Sequence, residues 1–296
     1  MFDTTRSSLS NLAEVLPKLS KVGKDTLEPL FLISRKNGSL SDLTDSEISK
    51  LSIELEKLSK VSELLGIDLG AASKIEDYVS YESKTRSRNR INGIYVIIDP
   101  QATNSRDLVQ IAASVIDGGI SVLQYRDKQS DRSEFLENAD ALKQLCDSAN
   151  VAFIVNDAAD VAKLVGSSFL HVGQSDLDVN SAREILAPFQ CIGRSNNGLI
   201  QAKESESEGA DYLAVGAVYS TNTMGKSNRK PVGPQTLSDV KESTELPVVA
   251  IGGIDSSNIS EVQASGVDSA CVVSAITFAD DPEKATKHLV DLWGNR

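Results

Sequence analysis

The chain has 296 residues, of which 30 are basic and 42 acidic, and its formal net charge is −12. Such a chain lacks the basic surface that nucleic acids and anionic membranes require, so both are excluded as main partners. Hydrophobic residues make up 40% and charged residues 24%, which is typical of a folded, soluble protein of one large domain or two smaller ones.

The numbers and positions of the cysteine and histidine residues limit which metal and disulfide sites the chain can form. The three cysteines are widely separated and form no CxxC pair, which is typical of buried thiols in a reducing compartment. With two histidines, His171 and His288, a multi-histidine metal site is excluded. The first ten residues contain no apolar segment of a signal peptide, and no apolar run reaches membrane-spanning length. We therefore predict a cytoplasmic protein.

The sequence pattern of the first 90 residues predicts helices. Thr44 and Glu47 have the spacing of a capping box, and an apolar stripe with helical spacing follows them. The members of this stripe are Ile48, Leu51, Leu55, Leu58 and Leu65. The pattern predicts one amphipathic helix of about 20 residues. An earlier apolar pattern over 9–19 predicts a second helix, which Pro17 kinks or ends, and Asn37-Gly38 marks a turn.

The charge is distributed unevenly along the chain. Residues 1–90 contain 14 basic and 14 acidic residues, so 91–296 contain the remaining 16 and 28 and the whole net charge of −12. The segment 81–92 is polar and arginine-rich, and we interpret it as a linker. We therefore predict a small all-helical region over 1–80, the linker, and a second domain over 93–296. Residues 1–80 are a candidate surface for self-association or for docking of a partner.

Eight short apolar segments after residue 92 alternate with segments that favour helices. The predicted strands are 94–98, 121–124, 152–155, 169–172, 191–193, 212–215, 248–251 and 270–273. This alternation is typical of parallel strands buried on both faces and predicts a (β/α)₈ TIM barrel. A doubly wound sheet is the alternative, but no GxGxxG follows the first strand. In addition, Gly252-Gly253 and Ser274 follow strands 7 and 8, where barrels bind phosphate.

Polar residues at the carboxyl ends of the strands are the candidate site residues, because barrel enzymes act at that end. Gln124, Arg126 and Lys128 alternate after strand 2, so an extended segment presents them on one face as a pyrophosphate clamp. Asp157 follows strand 3, Asp176 follows strand 4, and no basic residue lies close to either in the sequence. Two such carboxylates suit Mg²⁺, and helix N-caps are the alternative interpretation.

The loop between strand 6 and the next helix, 217–233, is long and rich in hydroxyl groups and cations. Loops of this kind are typical of mobile lids over a reacting centre, and a flexible surface insertion is the alternative.

The ordered motifs resemble those of the thiamine phosphate synthase family over about residues 93–290. The resemblance is carried by QYRDK at 124–128, VND at 155–157, HVGQSD at 171–176, GRS at 193–195, 216–223, IGGI at 251–254 and VS at 273–274. It implies a transferase that joins 4-amino-2-methyl-5-hydroxymethylpyrimidine diphosphate to 4-methyl-5-(2-hydroxyethyl)thiazole phosphate. The products would be thiamine phosphate and pyrophosphate, and the cofactor would be Mg²⁺.

The resemblance also implies roles for individual residues. Asp157 and Asp176 would hold Mg²⁺, and Ser195 would contact the pyrimidine ring. The pyrimidine diphosphate would contact Gln124, Tyr125, Arg126, Asp127, Lys128 and Asn156. The thiazole phosphate, including its phosphate group, would contact Thr221, Asn222, Thr223, Gly253, Val273 and Ser274. Catalysis would be electrostatic, through the cations Arg126, Lys128 and Lys226.

One position departs from the family pattern. The family has a lysine after its Thr-x-Thr, where this chain has Met224, and we hypothesise that Lys226 substitutes for that lysine. A thiazole tautomerase of the same fold is one alternative function. Its catalytic histidine would fall at Asn197, and neither His171 nor His288 is expected near that position. A non-catalytic ligand-sensing barrel is the other alternative, and the presence of both aspartates argues against it.

Overall fold

The computed structural model describes residues 43–65, 70–221, 223 and 230–294. It divides into two compact units with a boundary between Arg86 and Ser87, and Ala187–Phe189 group with the first unit. Over this part of the chain, no helix has the length and apolar character needed to cross a membrane. The helix predicted over 9–19 and the turn at Asn37-Gly38 lie outside the described residues.

Helix α1 (Asp45–Leu65) begins at the predicted capping box. The Glu47 amide donates to the Thr44 hydroxyl at 3.3 Å, and the Thr44 amide donates to the Glu47 carboxylate at 2.8 Å. This reciprocal pair satisfies donors near the helix N-terminus. Fully buried members of the predicted stripe are Ile48, Leu51 and Leu55. Its other members, whose side chains lie outside the described part, are Leu58 and Leu65.

Helix α2 (Gly70–Asn89) differs from the predicted linker, because residues 81–89 continue the helix. The Arg86 guanidinium lies 3.5 Å from the Glu82 carboxylate, one turn earlier, and donates to the Leu43 carbonyl at 2.8 Å. Ion pairs one turn apart stabilise a helix that lacks a continuous apolar face. A polar composition that favours a linker is therefore compatible with a helix here. The role of residues 1–80 as a separate domain stays a prediction.

The second unit is a closed barrel of eight parallel strands, which confirms the predicted (β/α)₈ architecture. The strands are β1 (Gly93–Ile98), β2 (Val122–Tyr125), β3 (Ala152–Asn156), β4 (Phe169–Val172), β5 (Cys191–Asn196), β6 (Tyr212–Gly216), β7 (Val248–Ile251) and β8 (Ser269–Val272). Strand β1 pairs with both β2 and β8, so the sheet closes without an exposed edge. The largest difference from the prediction is at β5, which continues to Asn196 and includes Ser195.

Helices follow the strands. They are α3 (Leu108–Asp117), α4 (Arg132–Ser148), α5 (Ala159–Leu164), α6 (Val179–Ile185), α7 (Leu199–Ser207), α8 (Pro234–Glu242), α9 (Ile259–Ala264), α10 (Ser274–Thr277) and α11 (Pro282–Gly294). Four of them begin at an aspartate whose carboxylate accepts from an amide of the first turn. These caps are Asp107, Asp131, Asp178 and Asp281.

Alternate residues of each strand point to opposite sides of the sheet and divide the apolar residues into two layers. Val96, Leu123 and Val155 belong to the layer that packs against the helices. Phe169 and Tyr212 belong to the layer that fills the barrel. Because all strands are parallel, the loops that follow them meet at one mouth of the barrel.

Gly193 makes room for the ring of Tyr212 inside the barrel. The two residues are partners across β5 and β6. A Cβ atom at Gly193 would lie 1.9 Å from the Tyr212 ring. A large aromatic side chain therefore fits here because the neighbouring position has no side chain.

We expect Gly193→Ala to lower the free energy of unfolding by about 3 kcal/mol, because overpacking a dense core forces side chains out of their rotamers. Urea unfolding followed by circular dichroism measures this loss. Gly198→Ala is the matched control, since its Cβ would meet no atom closer than Thr236, at 4.0 Å. Equal stability of the two variants would contradict the close fit.

Candidate active site

The barrel mouth contains a cavity of about 460 Å³. Its lining includes predicted site residues that lie at or after the ends of strands β5 to β8. They are Ser195, Thr221, Thr223, Gly253, Val273 and Ser274. The fold therefore gathers, around one cavity, residues that are widely separated in the sequence. Cavities of this size and position are typical of small-molecule sites in barrels.

A second cavity of about 270 Å³ is formed by residues at and after the ends of β2 and β3. The predicted site residues in its lining are Asp127, Lys128, Asn156 and Asp157. The predicted site residues thus separate into a hydroxyl-rich group around the first cavity and a charged group around the second.

Lys128 lies between the two predicted metal-binding carboxylates. Its ammonium group is bonded to the Asp157 carboxylate and lies 3.6 Å from Oδ1 of Asp176. The lysine and the two aspartates come from the loops after β2, β3 and β4, so the pairing of these neighbouring strands brings them together. No basic residue lies close to either aspartate in the sequence. In the structure Lys128 lies beside them, although it precedes Asp157 by 29 residues.

The helix-cap interpretation of the two aspartates is wrong. Helix α5 follows Ala158 without a side-chain cap, and the cap of α6 is Asp178. Oδ2 of Asp176 instead accepts from the Gly173 amide at 3.0 Å. Asp157 has a φ of 58°, a left-handed conformation that is uncommon outside glycine and is concentrated at functional sites. Neither carboxylate therefore caps the helix that follows it.

The pKa values of these three groups depend on one another. Burial raises the pKa of Asp157, and the charge of Asp176 raises it further against the opposing effect of Lys128. Burial acts in the same direction on Asp176, but its bonds with Asp157, Lys128 and the Gly173 amide outweigh burial and lower its pKa. Burial would lower the pKa of Lys128, yet the carboxylates hold it above its usual value. The group therefore combines concentrated negative charge with one firmly protonated lysine.

This group fits a divalent cation such as Mg²⁺. Two carboxylates face one positive charge, and Mg²⁺ binds proteins through one or two carboxylates and fills its shell with water and phosphate oxygens. Across the described ranges, no cluster of three or more His, Cys, Asp or Glu side chains could hold a metal ion. A metal ion bound here would therefore need oxygen ligands from a substrate or from water.

The residues predicted to form one clamp after β2 have three different environments. Gln124 is buried inside the barrel, where its Nε2 donates to the Tyr95 hydroxyl at 2.6 Å. Arg126 is bonded to the carboxylate of Asp99, which follows β1 and is 1% exposed. Lys128 belongs to the carboxylate group described above. Each side chain is thus held by its own partner, and the single clamp is replaced by two separate cations.

Tyr125 and Asp127 support the loop after β2. The Tyr125 ring packs against Phe135 of α4 with ring centres 4.8 Å apart, and its hydroxyl donates to Asp127 at 3.0 Å. Asp127 also accepts from the amides of Gln129 and Ser130, and these bonds lower its pKa despite burial. Since alternate strand residues face opposite sides, the Tyr125 side chain faces the helices and not the barrel mouth. The predicted contact with substrate is therefore wrong for this side chain.

The loops after β6, β7 and β8 approach each other closely. Gly252 and Gly253 have φ values of 105° and 68°, which strongly favour glycine. A Cβ atom at Gly252 would lie 2.6 Å from the Cβ of Ala217 in the loop after β6. The Thr223 hydroxyl donates to the Ser274 hydroxyl, at the start of α10, at 3.1 Å. Hydroxyl groups and loop backbone therefore converge at the end where barrels bind phosphate.

His171 is a site residue that the sequence analysis missed. Its Nε2 lies 2.9 Å from the Ser195 hydroxyl, and its Nδ1 lies 2.9 Å from the Tyr212 hydroxyl. This contact is with Ser195, two residues before Asn197, the position at which the tautomerase histidine is expected. The available signal was one polar residue inside the otherwise apolar strand β4.

Other named residues fall outside the described part of the chain. They are Asn222, Met224 and Lys226. Their proposed contacts with substrate, and the replacement of the family lysine by Lys226, stay predictions.

Comparison with known proteins assigns the barrel to a family. The family model described as thiamine monophosphate synthase matches residues 94–276. The chain belongs to the thiamine monophosphate synthase family. The thiamine-phosphate synthase of Halorhodospira halophila is 39% identical over 206 residues, which cover 69% of this chain and 96% of that protein. That of Haloquadratum walsbyi is 39% identical over 196 residues, covering 66% and 88%.

A solved structure agrees with this assignment. Thiamine phosphate pyrophosphorylase from Pyrococcus furiosus is 36% identical and superposes with a TM-score of 0.64, covering 69% of this chain and 96% of that one. The match to the thiamine monophosphate synthase family begins at residue 94, so the helical region before the barrel takes no part in it.

Asp99 is a second residue that the sequence analysis missed. Besides holding Arg126, its carboxylate accepts from the Gln101 amide at 2.9 Å. The available signal was an aspartate directly after the first strand, at the end where site residues gather. Asp99 therefore fixes one of the two cations of this synthase-family site from a neighbouring strand.

We expect Asp99→Asn to lower the free energy of unfolding by about 3 kcal/mol, because losing one partner of a buried ion pair leaves the Arg126 charge uncompensated. Urea unfolding measures the loss. Asp107→Asn is the control, because this exposed aspartate is a helix cap and asparagine also caps helices. A wild-type unfolding curve for Asp99→Asn would show that the ion pair contributes nothing.

Proposed function

We propose that this chain is a Mg²⁺-dependent thiamine phosphate synthase. It joins 4-amino-2-methyl-5-hydroxymethylpyrimidine diphosphate to 4-methyl-5-(2-hydroxyethyl)thiazole phosphate and releases thiamine phosphate and pyrophosphate. Membership in the thiamine monophosphate synthase family supports the reaction. The observation that carries the metal dependence is the convergence of Lys128, Asp157 and Asp176 at the barrel mouth.

We assign the thiazole phosphate to the larger cavity. Thr221, Thr223, Gly253 and Ser274 line it, and their hydroxyl groups and backbone amides donate to phosphate oxygens without positive side chains. Ser195 lines the same cavity and is our candidate for contact with the pyrimidine ring. Binding both rings in one cavity allows the thiazole nitrogen to meet the methylene carbon of the pyrimidine.

We assign the diphosphate of the pyrimidine substrate to the smaller cavity. Lys128, Asn156 and Asp157 line it, so a cation, an amide and a metal-binding carboxylate meet there. This arrangement places the charged leaving group beside the charged residues and the two rings beside the hydroxyl groups and apolar residues.

The reaction breaks the bond between the methylene carbon and the diphosphate oxygen, and the electron pair leaves with pyrophosphate. The thiazole nitrogen captures the methylene cation and forms the new carbon–nitrogen bond. Negative charge therefore grows on the pyrophosphate, and preplaced cations stabilise it. Bound at Asp157 and Asp176, Mg²⁺ would neutralise part of that charge. Arg126 and Lys128 are the preplaced cations of the chain, and no protein nucleophile is needed.

We propose that Lys128 has one role before the substrate binds and another role afterwards. In the structure its ammonium group offsets part of the charge of Asp157 and Asp176. With a divalent cation held by these carboxylates, the lysine would be available to bind pyrophosphate oxygens. The carboxylates thus hold the lysine near the leaving group, and they do not compete with the substrate for it.

We also propose a cytoplasmic location. Cys146, Cys191 and Cys271 are all buried, and none of them forms a disulfide bond. Thiols without a disulfide framework are typical of proteins in a reducing compartment.

We expect the chain to release pyrophosphate when it is mixed with both substrates and Mg²⁺, and to stop when EDTA removes the metal. Asp157→Asn and Asp176→Asn are each expected to lower turnover by about a hundredfold, the scale of losing one preorganised electrostatic group. Chromatographic measurement of the thiamine phosphate formed measures both effects, because it needs no metal-dependent coupling enzyme.

Asp178→Asn is the matched control, because Asp178 is an exposed helix cap two residues after Asp176 and asparagine retains that function. Full activity in EDTA, or in both carboxylate variants, would contradict the metal dependence and leave the synthase reaction standing. Conversion of a thiazole substrate alone would favour the tautomerase, and binding without turnover would favour the ligand-sensing barrel.

We propose that Lys226 supplies the cation that the family has at the position of Met224. Lys226→Ala is expected to lower turnover by about tenfold or more, because a charge-assisted hydrogen bond to the leaving group is lost. Lys230→Ala, an exposed lysine farther along the same loop, is the control. Unchanged turnover for Lys226→Ala, beside a large loss for Lys128→Ala, would overturn the substitution.

A further inference from the structure

A continuous chain of hydrogen bonds runs through the barrel interior and ends at Ser195. Gln124 Nε2 donates to the Tyr95 hydroxyl at 2.6 Å, and the hydroxyls of Tyr95 and Tyr212 are 3.4 Å apart. The Tyr212 hydroxyl lies 2.9 Å from Nδ1 of His171, and Nε2 of His171 lies 2.9 Å from the Ser195 hydroxyl. Gln124, both tyrosines and His171 are buried, whereas Ser195 lines the larger cavity.

With Nε2 of Gln124 as the donor of the first bond, the directions of the other bonds follow. The amide nitrogen of Gln124 only donates, so the Tyr95 oxygen accepts and its proton is directed to the oxygen of Tyr212. The Tyr212 proton is then directed to Nδ1 of His171, which must be the unprotonated nitrogen. The proton of a neutral His171 is therefore on Nε2 and is donated to the Ser195 oxygen.

Burial keeps both phenols protonated, which this order requires. Burial is the main cause that raises the pKa of Tyr95 and of Tyr212 well above the ordinary value for tyrosine. Each phenol therefore carries one proton to donate, and a buried hydroxyl group without a partner would be costly.

We infer that Tyr95, Tyr212 and His171 are positioning residues that fix Ser195 as a hydrogen-bond donor toward a ring nitrogen of the aminopyrimidine substrate. The inference rests on the proposed function and adds the polarity of the pyrimidine contact to it. Since the Ser195 oxygen accepts from His171, the hydroxyl hydrogen is directed to the cavity. Ring nitrogens of an aminopyrimidine accept hydrogen bonds. The series of hydrogen bonds therefore selects a ligand with an acceptor opposite the Ser195 hydroxyl group.

Gln124→Glu is the sharpest test, because it preserves the size of the side chain and reverses the first bond. A glutamate oxygen accepts from Tyr95, so Tyr95 accepts from Tyr212, Tyr212 accepts from Nδ1–H of His171, and Nε2 accepts from Ser195. The proton of His171 is then expected on Nδ1. Nitrogen-15 NMR of histidine-labelled protein distinguishes the two forms, and His288→Gln assigns the signals because the chain has two histidines.

Tyr212→Phe is the second variant, because it removes one hydroxyl group and keeps the ring that fills the barrel. We expect the Nδ1 signal of His171 to change when its donor is lost. We also expect the KM for the pyrimidine diphosphate to rise about tenfold, the scale of one lost hydrogen bond, and the KM for the thiazole phosphate to stay unchanged. Tyr81→Phe, at an exposed tyrosine of α2, is the matched control.

The NMR result is independent of turnover, so failure of this inference and failure of the proposed function are distinguishable. The inference would be overturned if the wild-type protein carries the proton on Nδ1. It would also be overturned if the His171 signals are identical in wild type, Gln124→Glu and Tyr212→Phe. Both outcomes count even if pyrophosphate release is normal. An equal rise in both KM values for Tyr212→Phe would point to a general structural role and would also overturn it. Near-ultraviolet circular dichroism verifies that each variant retains its fold.

Discussion

Closure of eight parallel strands into one barrel is the constraint on which the site depends. Because all strands run in the same direction, each residue that follows a strand is delivered to the same mouth. Arg126 and Asp99 meet because β1 and β2 are neighbours, and Lys128 meets Asp157 because β2 and β3 are neighbours. A slip of one residue in β2 would turn both cations toward the helices, since alternate residues face opposite sides. Register and catalysis are therefore linked in this strand.

The acidic composition of the barrel is compatible with anionic substrates because its carboxylates position its cations. At long range the charge of −12 over 91–296 opposes binding, but at physiological salt this effect is screened within about 8 Å. Within that distance, Asp99 holds Arg126, and Asp157 and Asp176 hold Lys128. A lysine or arginine side chain that is fixed in place loses less conformational entropy when the substrate binds. Acidic residues thus contribute to anion binding through their partners, and two of them also suit a metal ion.

The strands could be predicted from sequence because a parallel strand buried on both faces is mainly apolar. The segments 169–172 and 248–251 match β4 and β7 at both ends. β5 was predicted too short because its last residues are polar, and pairing with β6 decides that it continues. Side-chain partners could not be predicted, because Lys128 and Asp157 are far apart in the sequence and meet only through the pairing of β2 with β3. Tyr125 was grouped with its sequence neighbours, although strand alternation turns its side chain to the opposite face.

The polarity of the barrel interior changes along its axis, and this change explains how stability and binding coexist in one layer. In β2 and β4, inward positions two residues apart pass from Val122 to Gln124 and from Phe169 to His171 toward the mouth. The apolar end supplies burial, whereas the polar end is stable only if each buried group has a partner. Tyr95 and Tyr212 provide these partners, and Gly193 gives the second ring its space. Because every donor must find an acceptor, the same bonds that make the polar layer stable also leave the Ser195 hydroxyl hydrogen directed to the cavity.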